Sequence, residues 1–231
     1  MQGRVVSIQV GRVQAMVSSD PGRPAWNSGI IKTAVAGDIE VRELGLVGDE
    51  QADLVHHGGS DKAILGYAID HYPVWNAEHP DAGFAPGGFG ENLTIAGQDE
   101  STCCIGDIYR IGTCLLQISQ PRQPCWKLSR RWGLPQLAAD VQRSGRTGWY
   151  FRVLQQGHIA AGQNIELVDR PHADISVTWA SRVMHSKPHD LASDKILCDC
   201  AALSESWKLT LAKRIGGHAL NDEPRLLGPN H

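Results

Sequence analysis

The chain has 231 residues, 42% of them hydrophobic and 20% charged, and a formal net charge of -3. That length is enough for one large domain with its own core, or for one domain with a small appendage. The charge balance gives no support to a nucleic-acid partner, and no stretch approaches the roughly 18 apolar residues of a membrane span. We therefore expect neither nucleic-acid nor membrane partners. The N-terminus lacks the apolar core of a signal peptide, so we also expect a cytoplasmic protein.

Short strands separated by glycine are predicted over the first 170 residues. Alternating apolar residues and β-rich runs predict strands at 4–10, 38–44, 93–95, 108–111, 114–119, 148–154 and 164–169. Helices are predicted between them at 68–78 and 134–142. Many short strands with glycine turns favour a mainly β, barrel-like fold with helical insertions.

The pattern changes after residue 170. Three helix-length segments follow, and Asp190 and Ser204 are suited to cap two of them. We therefore predict a first domain at 1–170, a small all-α three-helix domain at 174–216, and a loosely ordered tail at 217–231.

The stretch QPRQPCWKL presents a single thiol in a stiff, basic setting. Pro121 and Pro124 fix backbone dihedral angles, while Arg122 and Lys127 bring cations close to Cys125. Nearby cations lower a thiol pKa, and the resulting thiolate binds soft metals. The alternative is a small buried hydrophobic residue, which is what most free cysteines are.

The stretch HHGGSDK combines histidines with glycines. His56 and His57 precede Gly58 and Gly59, whose small size lets the backbone approach a ligand closely. Asp61 could orient an imidazole or cap the segment that follows it. A polar turn without a ligand explains the same pattern equally well.

The stretch GGFGENL approaches a strand through three glycines and ends with Glu91 and Asn92. No Lys-Ser or Lys-Thr pair follows, so the pattern is not that of a phosphate loop. A structural turn is the favoured interpretation of this stretch.

Taken in order, these stretches resemble the MOSC domain, the family named for the C-terminal part of molybdenum-cofactor sulfurase. The motifs are GD at 48–49, HGG at 57–59, GENL at 90–93, GD…R.G at 106–112 and PRQPC at 121–125. The stand-alone bacterial YiiM-like members are the most similar, because they have a comparable length and a C-terminal three-helix domain. The resemblance covers nearly the whole chain.

The resemblance implies a barrel-like MOSC core that binds the molybdenum cofactor (molybdopterin), a metal held by the dithiolene of a phosphorylated pterin. It implies that Cys125 ligates molybdenum and that the substrates are N-hydroxylated compounds such as hydroxylaminopurines. His57 is then expected to relay a proton, with His56 as its competitor. The residues expected to contact the cofactor are Arg122, Lys32, Lys62, Asn92, Gly58 and Gly59.

The source of electrons follows from what the sequence lacks. No dinucleotide fingerprint, flavin motif or iron–sulfur spacing occurs, so we expect an external electron-donor protein. Two alternatives remain open: a molybdenum-cofactor carrier or binding module, and a sulfur-transfer domain in which Cys125 carries a persulfide. The chain has no room for the pyridoxal-phosphate domain that would make such a persulfide, so pyridoxal-phosphate binding is not expected.

Overall fold

A computed structural model describes residues 3–17, 24–54, 57–218 and 221–228. The strands are β1 Gly3–Val10, β2 Gln14–Met16, β3 Trp26–Ser28, β4 Thr33–Ala34, β5 Asp38–Arg42, β6 Gly45–Leu46, β7 Ile64–Ala68, β8 Leu93–Ala96, β9 Ile108–Ile111, β10 Cys114–Pro121, β11 Trp149–Gln155, β12 Gly157–Ala160 and β13 Asn164–Asp169. The helices are α1 His71–Glu78, α2 Trp126–Trp132, α3 Leu137–Ser144, α4 Val177–His185, α5 Leu191–Cys198, α6 Glu205–Ile215 and α7 Glu223–Leu227.

Seven of these strands close into a barrel in the order β13-β9-β10-β11-β7-β8-β1, because β1 also pairs with β13. Neighbouring strands are antiparallel except β7 and β8, which run parallel. Alternation along the strands turns large side chains such as Trp149 and Phe151 into a fully buried interior. The predicted class, a mainly β barrel with helical insertions and a C-terminal three-helix unit, is confirmed.

The C-terminal helices α4, α5 and α6 begin at side-chain caps. Asp190 accepts hydrogen bonds from the amides of Ala192 and Ser193, and Ser204 accepts one from Trp207, as predicted. Inside the unit, the buried Arg214 pairs with Asp194. The apolar faces of these helices pack on the barrel and share one continuous hydrophobic core with it.

Several predicted elements differ from the observed ones. The helix expected at 68–78 begins only at His71, because Ala68 ends strand β7. All five residues of β7 are buried, and such an apolar run carries no period that separates strand from helix. Helix α2 and strand β12 were not predicted.

Part of the predicted loosely ordered tail is helical, because α7 at Glu223–Leu227 packs against α2. Residues 219–220 and 229–231 of that tail lie outside the described residues. Among the helices of the described ranges, none combines the length and hydropathy that crossing a bilayer requires.

Candidate active site

An open pocket with about 640 Å³ of empty space lies where β10 ends and β8 begins. It brings together six of the eight residues predicted to bind the cofactor or take part in catalysis, although these are far apart along the chain. The lining includes Cys125, His57, Arg122, Lys32, Lys62 and Asn92. Gly58 and Gly59 are not among the lining residues.

Cys125 occupies the N-cap position of α2 and is only 8% exposed. Burial alone would raise its pKa. The hydrogen bond and charge of His57, the charge of Arg122 and the backbone amide of Lys127 outweigh burial and lower the pKa to about 7. Burial instead raises the pKa of Cys103 to about 12, so Cys125 is suited to be a thiolate near neutral pH and Cys103 is not.

His57 is half-buried at the pocket wall, and its backbone amide donates to Asp53 O at 2.9 Å. Its side chain hydrogen-bonds the Cys125 sulfur. His56 lies outside the described residues.

Asp61 does not orient His57 in the way the sequence allowed. Its carboxylate pairs with Arg152 at 2.7 Å and accepts a hydrogen bond from the amide of Glu205 at 3.1 Å. This carboxylate therefore anchors the beginning of α6.

Arg122 is 6% exposed and holds its place through two backbone groups. Its amide donates to Gly148 O at 3.0 Å, and its Nη2 donates to Phe89 O at 3.2 Å. Its Nη1 is buried and has no hydrogen-bond partner among the described residues. An unsatisfied buried donor is costly, so this nitrogen is suited to bind an anionic ligand in the pocket.

Lys32 does not face the pocket as an isolated cation, because its ammonium pairs with Asp49. Both side chains are almost fully buried. Burial lowers the pKa of Lys32, and the charge of Asp49 opposes this effect. Sequence reasoning treated Asp49 only as part of a Gly-Asp turn and missed this pair, since an aspartate is common in turns for purely local reasons.

Asn92 lines the pocket, but its amide is already used within the protein. Its Oδ1 accepts from the amide of Leu65 at 3.0 Å. Its Nδ2 donates to Asp49 at 2.9 Å and to Gln9 O at 3.3 Å. Asn92 therefore positions Asp49, and the expected contact between its amide and a pterin is not supported by this geometry.

Gly58 and Gly59, which were expected to approach the cofactor, do not line the pocket. Gly59 has φ +93° and precedes a short 3-10 turn, while a Cβ at Gly58 would lie 3.0 Å from the Leu54 backbone. These glycines serve the turn itself. The glycines that line the pocket are Gly29 and Gly90, and a Cβ at Gly29 would come within 2.1 Å of Glu50 O.

Tyr150 is a further lining residue that the sequence gave no reason to select. Burial raises its pKa to about 12, so it remains a neutral phenol that can donate a hydrogen bond at neutral pH.

The charges around the pocket nearly balance. Four cationic side chains and three carboxylates line it: Lys32, Lys62, Arg122, Lys127, Asp49, Glu50 and Asp53. Affinity for an anion must therefore come from local geometry at Arg122 more than from an overall positive field.

Comparison with known proteins identifies the family. Residues 53–166 match the MOSC domain, and residues 175–218 match the YiiM-like, 3-alpha helix domain. The protein YiiM of Escherichia coli (strain K12) is 37% identical over 224 residues, which are 96% of this chain and 97% of that protein.

Two further relatives extend the comparison. The crystal structure of YiiM from Geobacillus stearothermophilus has a TM-score of 0.78 at 36% identity, covering 92% of this chain and 99% of that one. A protein named Reductase from Gibberella moniliformis (strain M3125 / FGSC 7600) is 38% identical over 179 residues, which are 76% of this chain but 31% of that protein. The resemblance stated from the motifs is thus confirmed: the chain belongs to the MOSC-domain family and carries the three-helix domain of its YiiM-like members.

Proposed function

We propose that this chain is a molybdenum-cofactor-dependent reductase of small N-hydroxylated compounds, with electrons supplied by a separate protein. The observation that carries the proposal is one pocket in which the Cys125 thiol, with a pKa of about 7, meets His57 and the unsatisfied Nη1 of Arg122. Family membership and the reductase-named relative support the coarser statement that the activity is of the oxidoreductase type.

The side chains present fit a molybdenum cofactor. The cofactor brings its own dithiolene sulfurs, so the protein needs to add one soft ligand and donors for the phosphate. A Cys125 thiolate is a soft ligand, and Arg122 offers a planar fork for an oxyanion. No group of three or more His, Cys, Asp or Glu in the described ranges is arranged to hold a metal ion, so a single-thiolate site is the better match.

The bound cofactor would supply the two-electron chemistry. Reducing an N-hydroxyl group to an N–H group consumes two electrons and two protons and releases water. Cys125 would hold the metal in its thiolate form, and Arg122 would bind the anionic part of the cofactor. His57 is the side chain suited to bring a proton to the departing oxygen near neutral pH. Tyr150 would orient a ligand oxygen while keeping its own proton.

The test is metal analysis followed by turnover. Protein from a cofactor-competent host should contain nearly one molybdenum per chain by mass spectrometry and reduce hydroxylaminopurine with a reduced dye as donor. Cys125→Ser, which is near-isosteric, should fold normally and lose both properties.

Other outcomes favour the alternatives or refute the proposal. Molybdenum without turnover would identify a carrier, and labile sulfur without molybdenum would identify a sulfur-transfer domain. Undiminished turnover in Cys125→Ser would remove the ligand assignment.

A further inference from the structure

The short helix α7 contacts both neighbours of Cys125 in the chain. Arg225 Nη1 donates to the Pro124 carbonyl oxygen at 2.5 Å. Gly228 lies close to Trp126, so that a Cβ at this glycine would come within 2.8 Å of the indole Cγ. The two family matches end at residues 166 and 218, so this contact comes from a segment beyond both.

Arg225 is itself held from two sides. Its Nη2 donates to Gln142 Oε1 of α3 at 2.7 Å, and it pairs with Asp222 at 3.1 Å. Asp222 also faces His185 of α4, with 3.5 Å between Oδ2 and Nδ1. The guanidinium thus contacts the barrel's helical insertion directly at Gln142 and is linked to the three-helix unit through Asp222.

The hydrogen bond from Arg225 to the Pro124 carbonyl restricts a backbone rotation next to Cys125 that the proline ring leaves free. The ring of Pro124 fixes its own φ, but ψ of Pro124 and φ of Cys125 can still rotate the peptide plane between the two residues. The Pro124 carbonyl and the Cys125 amide belong to that one plane. A hydrogen bond that holds the carbonyl therefore fixes this plane and leaves φ of Cys125 as the remaining rotation that turns the Cys125 side chain.

Trp126 holds the other side of the cysteine. Its ring has Gly228 against it, the Arg130 guanidinium carbon 4.2 Å from its centroid, and Trp26 edge-on at 5.4 Å between centroids. Because residues 124 and 126 are both held from outside the pocket, the N-cap geometry of Cys125 (φ -128°, ψ 165°) has little room to change.

We propose that α7 is a strap that positions the Cys125 thiol toward His57 and Arg122, with Arg225 as its positioning residue. The consequence for cofactor retention rests on the proposed function, whereas the effect on the thiol is a property of the cofactor-free chain.

The test measures the Cys125 thiol directly in cofactor-free protein. The rate of iodoacetamide alkylation at Cys125, followed by peptide mass spectrometry from pH 5 to pH 10, gives the titration midpoint. Arg225→Ala and Gly228→Ala should each shift that midpoint upward and slow alkylation at pH 7 by about three- to tenfold, since the thiol loses the neighbours that favour its thiolate. Arg225→Lys should recover part of the effect, because one ammonium can reach Pro124 but cannot also bridge to Gln142.

The matched control is Arg110→Ala, which removes an exposed arginine from β9 and should leave the midpoint unchanged. Thermal unfolding identifies any variant that fails to fold. If Arg225→Ala does not fold, Gly228→Ala and Arg225→Lys decide the question.

Folded variants with the wild-type midpoint would overturn the strap. A shifted midpoint in a protein that never acquires molybdenum, even as wild type, would support the strap and refute the proposed function. The titration midpoint therefore tests the strap, and the molybdenum content tests the proposed function, independently of each other.

Discussion

Replacing His57 by alanine should change the acidity of Cys125 by an amount that the pocket allows us to work out. Burial raises the pKa of this thiol, and His57 is the largest of the opposing causes that bring it down to about 7. Without His57, the charge of Arg122 and the Lys127 amide remain, and we expect the pKa to return to about 8.5 or higher. At pH 7 the thiolate fraction would then fall from about one half to about 3%, a loss of about fifteenfold in alkylation rate.

The assay is the pH profile of iodoacetamide alkylation at Cys125 in cofactor-free protein. The two proteins should differ about fifteenfold at pH 7 and converge near pH 10, where both thiols are ionised. His189→Ala is the matched control, because His189 is exposed and does not line the pocket.

An unchanged midpoint in His57→Ala would refute the assignment of His57 as the group that holds the thiolate. A slower rate at every pH, without a shifted midpoint, would mean that the substitution altered access to the thiol and not its acidity.

Three further predictions follow from the pocket. Arg122→Lys keeps the charge but loses the planar fork, so molybdenum should be retained about ten- to a hundredfold less tightly on dialysis; unchanged occupancy would place Arg122 outside the cofactor contacts. Asp49→Asn leaves Lys32 buried without its counter-charge and should lower the free energy of unfolding by about 3–5 kcal/mol in urea, whereas the more exposed Asp140→Asn should cost less than about 1 kcal/mol; equal losses would contradict this account. In the cofactor-free protein the folded Cys125 releases its proton at about pH 7 and the unfolded thiol at about pH 8.5, so stability relative to Cys125→Ser should rise by about 1.5 kcal/mol from pH 7 to pH 9; a flat difference in denaturation would refute the lowered pKa.

Barrel strands with alternating side chains were predictable because their period appears directly in the sequence. Strands β9 and β13 have the predicted bounds, and β1 and β10 differ from theirs by one or two residues at an end. Strand β7 carried no such period, since every residue is buried. Helix α2 was missed because it follows a proline-rich stretch and has only seven residues.

For the candidate site, local motifs were informative and distant contacts were not. Cys125 and Arg122 stand together in one stretch, and the family motif marked His57. The role of Asp49 depends on Lys32 and Asn92, which lie 17 and 43 residues away in sequence, so no local pattern could reveal it. A glycine pair beside a histidine is compatible with both a turn and a ligand contact, and only the backbone angles distinguish them.

The shared hydrophobic core has a consequence for recombination between relatives. The two family matches divide this chain between residues 166 and 175, near the end of the last barrel strand, but the apolar residues of α4, α5 and α6 belong to the same core as the barrel. The amide of Ser204 donates to Ser119 O of β10 at 3.0 Å, which ties the two parts further. In a chimaera that joins this barrel to the helices of a homologue, the apolar face of the barrel and that of the helices would come from different proteins. The two faces would then no longer be complementary in shape. We expect such exchanges to succeed only when both faces are transplanted together, and the parent chain to melt as one cooperative unit.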